Sequence, residues 1–159
     1  MKWNLTRILP GFLLFVVLLG IAQSTPAGQC SPAGAAGKYG FTLNGVVSTP
    51  NGPVPIAAVG KAILDSSGNV SGTEARSVGG GFADETFAGT YSVNADCTGT
   101  TTLQFFESGQ LVRTSVLSIV FDNNEKEIRM LQKSLTLPNG VALPVVITVE
   151  ARKIFTEED

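Results

Sequence analysis

Residues 89–100, GTYSVNADCTGT, have the pattern of two short β-strands joined by a turn. Apolar Tyr91 and Val93 alternate with polar residues, as expected for a strand that buries one face. Asn94-Ala95-Asp96 then supplies residues that tolerate the backbone angles of a tight turn. This block therefore predicts a β-hairpin, and the same pattern recurs through most of the chain.

Further strands and turns are predicted on both sides of this hairpin. Clusters of Gly, Pro, Asn, Asp and Ser separate the segments, and each cluster favours turn backbone angles. Residues 125–135 have a composition that a helix would tolerate, but turn residues bracket them at hairpin spacing and favour a strand. The predicted strands are 38–48, 55–64, 70–78, 86–93, 98–106, 110–121, 126–137 and 143–154.

This order of elements predicts an all-β fold, an eight-stranded antiparallel up-and-down barrel. Closing a sheet of this size into a barrel removes its exposed edges. A barrel of eight strands is just wide enough to be filled by its own side chains or to hold one small ligand. The alternative is a β-sandwich of two sheets.

Strand alternation also predicts which side chains point into the barrel. In the last strand, Thr148, Glu150 and Arg152 share one face, which we expect to meet solvent. The side chains expected inside are Leu143, Val145, Ile147, Val149 and Ala151 of that strand, Phe87, Tyr91 and Val93 of the fourth, and Leu103 and Phe105 of the fifth.

The N-terminal residues have the layout of a secretory signal peptide. Lys2 and Arg7 precede an almost wholly apolar run at residues 8–22, and small residues follow it. The run is about 15 residues long, short of the roughly 20 that a membrane-spanning helix needs. Residues 1–24 are therefore predicted to be a signal peptide cleaved near Ser24-Thr25. The alternative is an uncleaved N-terminal anchor.

The rest of the chain is predicted to be one exported domain, residues 38–159, preceded by a flexible lead-in at residues 25–37. Removing the leader takes Lys2 and Arg7 from the 11 basic side chains and leaves all 13 acidic ones, so the mature net charge is −4. Nucleic acid and anionic membranes require a basic face, which argues against both as partners. We expect a secreted or periplasmic protein with no stable membrane insertion after cleavage.

The two cysteines of the chain, Cys30 and Cys97, are expected to form a disulfide. Exported proteins mature where disulfides form and persist, and this one would tie the lead-in to the turn before the fifth strand. Two unpaired thiols are the alternative. A lipid anchor on Cys30 is not expected, because Gln29 precedes it and it lies well beyond the apolar run.

The composition excludes several kinds of chemistry. The sequence contains no histidine, so it has no Ser-His-Asp or Cys-His nucleophilic site and none of the usual histidine-containing metal sites. Asp65-Ser66-Ser67-Gly68-Asn69 has oxygen ligands that could hold calcium weakly, but it lacks the spacing of an EF-hand loop, and the alternative is a plain turn. We predict no catalytic residue, no metal site and no cofactor.

Three charged residues share strand faces with apolar residues and are candidates for the lining of a ligand site. Glu74 and Arg76 share a face with Val70 and Val78 in the third strand. Arg113 shares a face with Leu111, Leu117 and Ile119 in the sixth. A buried charge needs a partner, so Glu74 is predicted to pair with Arg76 or Arg113. The alternative places these residues at a rim or on the outer face.

Gly79-Gly80-Gly81-Phe82 is predicted to be a flexible connection.

Phe82, at the end of this connection, is predicted to cap a mouth of the barrel and to contribute to the same ligand site.

Several turn motifs carry a resemblance to known proteins. In chain order they are Gly37-Lys38-Tyr39, residues 65–72, residues 89–93 and residues 96–100. Their order resembles a group of small exported bacterial proteins of unknown function. The overall layout is similar to calycin-type barrels, such as lipocalins and the allene oxide cyclase and dirigent barrels. The resemblance implies a β-barrel and brings no active site with it.

Three functional hypotheses follow from this sequence. The first is a non-enzymatic exported barrel that binds a small apolar or amphipathic molecule, or a protein partner. The second is an enzyme of the cyclase or dirigent kind, which would need a polar cluster deep in an apolar cavity. The third is a structural or assembly role for a barrel filled by its own side chains. The oligomeric state and the ligand stay open.

Overall fold

The computed structural model describes residues 29–154, which form a closed β-barrel with one short helix, α1, at Pro32–Ala35. The predicted signal peptide, residues 1–24, lies outside the described residues. The strands are β1 Gly37–Thr49, β2 Gly52–Leu64, β3 Asn69–Val78, β4 Gly81–Val93, β5 Thr98–Glu107, β6 Gln110–Asp122, β7 Glu127–Thr136, β8 Ala142–Leu143 and β9 Val145–Lys153.

The barrel is closed by its last strand. Each strand from β1 to β7 pairs antiparallel with the next, and β9 pairs antiparallel with both β7 and β1. The short β8 and β9 together form the eighth side of the barrel. They are separated at Pro144, whose ring nitrogen has no hydrogen to donate to the ladder. The predicted eight-stranded antiparallel up-and-down barrel is confirmed, and the chain does not form the alternative β-sandwich.

The up-and-down course of the strands gives the barrel two distinct ends. The α1 end carries the helix and the turns at residues 65–68, 94–97 and 123–126. The mouth is the opposite end, formed by the turns at residues 50–51, 79–80, 108–109 and 137–141.

Strand β4 starts earlier than predicted, at Gly81 instead of residue 86. Gly79 and Gly80 have φ angles of 55° and 88°, which glycine adopts readily, and Val78 pairs with Gly81 across them. The expectation of a flexible connection here is wrong, because these two glycines form a tight hairpin turn. The extra residues add Ala83 and Glu85 to the inward face of β4, which also carries Phe87.

The predicted inward faces form the core of the barrel. Ile147 is 1% exposed whereas its neighbour Thr148 is exposed, so the predicted register of β9 is confirmed. Three phenylalanines pack in a row inside the barrel. The ring centroids of Phe41 and Phe87 are 5.9 Å apart in an edge-on arrangement, and those of Phe87 and Phe105 are 5.4 Å apart. Such pairs add to the stabilisation from burial alone.

The α1 end is covered by the segment that precedes β1. Ala35 is 0% exposed, and the Tyr39 hydroxyl lies 2.7 Å from the Ala35 carbonyl oxygen and 2.8 Å from that of Glu125. The Cys30–Cys97 disulfide holds the same segment and confirms the predicted pairing. From residue 29 onward, the segment expected to be a flexible lead-in is therefore folded against the barrel.

Candidate functional site

Four charged side chains meet inside the barrel, towards the mouth. Glu74 and Arg76 come from β3, Glu85 from β4 and Arg113 from β6. Glu74 and Glu85 are direct cross-strand partners, which brings their carboxylates side by side on the inner face. We refer to these four residues as the interior quartet. It contains two acids and two bases, so it is neutral when all four are ionised.

Arg113 is the centre of the interior quartet. Its Nη2 lies 2.6 Å from Glu74 Oε1, and its Nη1 donates to Glu85 Oε2. Arg76 Nε donates to Glu85 Oε1 at 2.8 Å and also approaches Glu107 at the mouth, at 3.8 Å. Glu74, Glu85 and Arg113 are 4%, 3% and 8% exposed, so water contributes little to their solvation. Buried charges of this kind persist only when they are paired.

The guanidinium of Arg113 also lies over an aromatic ring. Its Cζ is 3.8 Å from the ring centroid of Phe105, its direct cross-strand partner on β5. The electron-rich face of the ring attracts the cation. The contact favours the orientation of the guanidinium in which Arg113 binds the two carboxylates.

The two carboxyl groups of the interior quartet differ in acidity. Burial raises the pKa of Glu74 to about 7, with a smaller contribution from Glu85, and Arg113 opposes the rise. Burial also desolvates Glu85, but Arg113 and Arg76 together outweigh that effect and hold the pKa of its carboxyl below the usual range. The difference arises because Glu85 contacts two guanidinium groups and Glu74 contacts one.

Glu74 and Arg113 of the interior quartet line an interior space of about 70 Å³. Apolar and aromatic side chains supply most of the lining, among them Phe41, Leu117, Met130 and Ile147. Polar atoms deeper in the barrel are bonded to one another, as in the 3.0 Å contact from Gln132 Nε2 to Ser115 Oγ. Within residues 29–154, every buried side-chain nitrogen or oxygen has a hydrogen-bond partner.

The structure brings together three of the four residues predicted to form the site. Glu74, Arg76 and Arg113 all face the interior, and Glu74 pairs with Arg113. Phe82 does not join them: its side chain is 69% exposed near the mouth. Sequence reasoning missed Glu85, because the predicted fourth strand began one residue after it. Glu85 lies two residues before Phe87 and six before Tyr91, so strand alternation places it on the same inward face. This even spacing is the signal that could have found it.

The candidate calcium turn uses its own carboxylate as a turn cap. Asp65 Oδ1 accepts hydrogen bonds from the Ser67 and Asn69 backbone amides at 2.9 and 2.8 Å, and these bonds and the Asn69 side chain lower the pKa of Asp65. This geometry favours the plain turn. Among the described residues, no group of three or more His, Cys, Asp or Glu side chains is arranged to hold a metal ion.

The part of the chain that the structure describes contains no helix with the length and apolar character needed to cross a lipid bilayer.

Comparisons with known proteins support the fold and no family. The chain is similar to the solved structure of EF1p2_mFAP2b bound to DFHBI, with a TM-score of 0.54 and 11% identity over 79% of this chain and 100% of that one. A redesigned β-barrel, mFAP1, bound to DFHBI gives a TM-score of 0.49 and 15% identity over 76% of this chain and 99% of that one. No protein-family model and no curated protein matches the chain. The expected resemblance to small exported bacterial proteins stays a prediction.

Proposed function

We propose that this protein is an exported, non-enzymatic β-barrel that takes a small apolar or amphipathic molecule into its interior. The observation that carries the proposal is the interior space, whose walls are mainly apolar and which Glu74 and Arg113 of the interior quartet help to line. The barrel of EF1p2_mFAP2b is bound to the small molecule DFHBI, which supports the idea that this architecture can hold a ligand. The disulfide supports export, because such bonds persist in oxidising compartments.

The size of the space limits the ligand. An engineered cavity of about 150 Å³ lined by Leu, Ile and Phe binds benzene or xenon. The space here is about 70 Å³, roughly half as large. It accepts a xenon atom or a short alkyl group as it stands, and a larger molecule requires side chains to move. Met130 is suited to such movement, because its unbranched side chain adapts to different packing.

The charge balance of the interior quartet limits the ligand further. Arg113 already contacts both carboxylates, and Arg76 contacts one of them. A strongly charged ligand therefore finds no unpaired counter-ion inside the barrel and would pay a large desolvation cost. A neutral molecule with one polar end, directed towards the interior quartet, fits this interior best.

The proposal is tested by ligand uptake into mature, disulfide-bonded protein. Native mass spectrometry of protein purified from its own host reports any bound molecule. Xenon and 1-butanol, followed by methyl NMR, probe the space directly. We expect saturable shifts at the methyl groups of Leu117 and Ile147. The variant Ala62→Leu adds volume at the lining of the space and should abolish these shifts. Ala57→Leu, exposed on the same strand, is the matched control and should keep them.

The small volume favours a second candidate, a structural barrel filled by its own side chains. If neither probe shifts the interior methyl groups and no molecule co-purifies, this candidate replaces the first. The burial of Glu74 beside an apolar space favours a third, an enzyme of the cyclase or dirigent kind. A co-purified molecule that the natural protein converts to a product of different chromatographic retention time or mass, and that Glu74→Gln leaves unchanged, would establish it in place of simple binding.

A further inference from the structure

The outer faces of β3, β4 and β5 carry a regular set of exposed polar side chains without charge. Thr73 pairs with Thr86 and Thr90 pairs with Thr102, so the side chains form rows across neighbouring strands. Within residues 29–154, none of these side chains has a hydrogen-bond partner in the protein. We call this set the hydroxyl wall. Its members are Ser71, Thr73, Thr86, Thr90, Thr102 and Gln104.

Charge is concentrated on the opposite side of the barrel. The outward-facing charged side chains of β7 and β9 are Glu127, Arg129, Lys133, Glu150 and Arg152. Of the described residues on β3, β4 and β5, Asp84 alone places a charge on the outer face, since Glu107 lies at the mouth beside Arg76. A partner that covers the hydroxyl wall therefore experiences almost no net electrostatic field.

The hydroxyl wall continues into a cleft near the mouth. The cleft has a volume of about 690 Å³, whereas a water molecule takes about 30 Å³ in the liquid. It crosses the outer faces of β2 to β5 and is bordered by the turn between β5 and β6. The lining residues that matter here are Val59, Lys61, Thr73, Asp84, Thr86 and Phe106. Lys61 is exposed on β2 opposite Thr73, and Glu74 and Glu85 of the interior quartet also line the cleft. The carboxylate of Asp84 is exposed and has no ion-pair or hydrogen-bond partner among the described residues.

We propose that the cleft and the hydroxyl wall bind a neutral polysaccharide, with one part of the chain in the cleft and the rest along the outer face of β4. The site lies on the outer wall, because Thr86, Thr90 and Asp84 point away from the interior of the barrel. The proposal assigns this wall a ligand of a different class from the one proposed for the interior space.

The chemistry of the cleft matches a sugar ring. A pyranose presents apolar C–H faces edged by hydroxyl groups. Phe106, partly exposed, and Val59 offer apolar surface to those faces. Asp84 supplies a carboxylate that accepts hydrogen bonds from sugar hydroxyls, and the hydroxyls of Thr73 and Thr86 both donate and accept. The cleft offers an acidic polysaccharide no net positive charge, because its one exposed cation, Lys61, is balanced by the exposed carboxylate of Asp84.

Affinity electrophoresis of the mature, disulfide-bonded protein tests this proposal. Native gels contain dextran, laminarin, soluble starch or hydroxyethyl cellulose as neutral probes, and alginate as an acidic one. We expect at least one neutral polysaccharide to retard the protein and alginate not to. Thr86→Lys fills the cleft with a long charged side chain, and Phe106→Ala removes its aromatic surface. Both variants should bind the polysaccharide more weakly and raise the dissociation constant at least tenfold.

Thr148→Lys is the matched control, because it adds the same charge at an exposed site on β9. It should be retarded like the natural protein, and thermal unfolding should show that all variants are folded. The proposal is overturned if no neutral probe retards the natural protein, or if Thr86→Lys is retarded as strongly as Thr148→Lys. It also fails if light scattering shows a dimer that Thr86→Lys disrupts and Thr148→Lys does not, because the cleft is then an interface between copies of this chain.

Discussion

Arg113 Nη2 lies 2.6 Å from Glu74 Oε1, although the two residues are 39 positions apart and two strands separate β3 from β6 in the sheet. The contact is made inside the barrel, where the curvature of the sheet turns the inner faces of these strands towards each other. Glu85 binds the same guanidinium from β4. One arginine thus binds two buried carboxylates, and Arg76 supplies the second positive charge through Glu85.

Removing Arg113 should destabilise the barrel strongly. Arg113→Met leaves Glu74 and Glu85 buried beside each other with only the partly exposed Arg76 as a counter-ion. Breaking a buried ion pair in this way costs about 3–5 kcal/mol. Urea denaturation at pH 7 measures the loss in the free energy of unfolding.

The control for this prediction is Arg129→Met. Arg129 pairs with Asp122 at the surface with its side chain 68% exposed, and such pairs contribute at most about 1 kcal/mol. Equal losses in the two arginine variants would contradict the central role of Arg113.

The stability of the folded protein should depend on pH through Glu74. The folded state holds the Glu74 proton up to a pKa of about 7, whereas the ordinary value is 4.5. Between these values the native state binds more protons than the unfolded state, so stability falls as pH rises from about 4.5 to about 7, by up to roughly 3 kcal/mol. Glu85, whose pKa is lowered, acts in the opposite direction. It stabilises the native state above the ordinary pKa of a glutamate, and this stabilisation is lost as the pH falls below that pKa.

Glu74→Gln keeps a neutral side chain at every pH and isolates this effect. The difference in unfolding free energy between the natural protein and Glu74→Gln should shrink or reverse as pH rises through this window. Denaturation at half-unit pH steps gives that difference. Glu150→Gln, at an exposed site on β9, is the control. A pH-independent difference for Glu74→Gln would show that its carboxyl titrates alike in the folded and unfolded chains.

The disulfide should contribute several kcal/mol. Cys30 and Cys97 are 67 residues apart, and in the chain-entropy model closing a loop of that length stabilises the native state by roughly 4 kcal/mol at most. The double variant Cys30→Ser/Cys97→Ser should lose about 2–4 kcal/mol in chemical denaturation. Non-reducing mass analysis should find the natural protein two hydrogens lighter than its reduced form, and two freely alkylated thiols in exported protein would disprove the bond.

Two neighbouring residues of β9 should respond very differently to truncation. Ile147→Ala removes buried methyl groups from a site that is 1% exposed, so it should cost about 2–5 kcal/mol. Thr148→Ala changes an exposed residue and should cost less than half as much, because it leaves no cavity. Chemical denaturation of both variants makes the comparison, and the reverse order would mean that the inner and outer faces of β9 are exchanged.

A glycine on β3 makes room for an aromatic ring. A Cβ at Gly72 would lie 2.3 Å from Phe87 Cζ and 2.1 Å from the Lys61 carbonyl oxygen. Gly72→Ala should therefore cost about 1–3 kcal/mol by overpacking. Gly40→Ala is the control on β1, since its Cβ would meet only Ile154 at 3.5 Å, an ordinary contact. Thermal unfolding should show a lower midpoint for Gly72→Ala alone.

Most of the fold was predictable from local patterns. Alternation along each strand is a property of the extended backbone, so Ile147 and Thr148 could be assigned to opposite faces without knowledge of any neighbour. Turn residues marked most strand ends for the same reason. The prediction erred at Gly79-Gly80-Gly81, where three glycines were taken as flexible although a tight hairpin needs positive φ at two of them.

The sequence by itself determined the strand count, the inward faces and the cysteine pair, because each depends on short-range alternation, turn chemistry or the presence of only two thiols. Only the tertiary structure decided that Arg113 binds both Glu74 and Glu85, that about 70 Å³ stays empty inside, and that a cleft forms on the outer wall. These features depend on how far the sheet curves and how side chains from all its strands fill a shared volume. Alternation states which way a side chain points, but the curvature of the closed barrel decides what it meets.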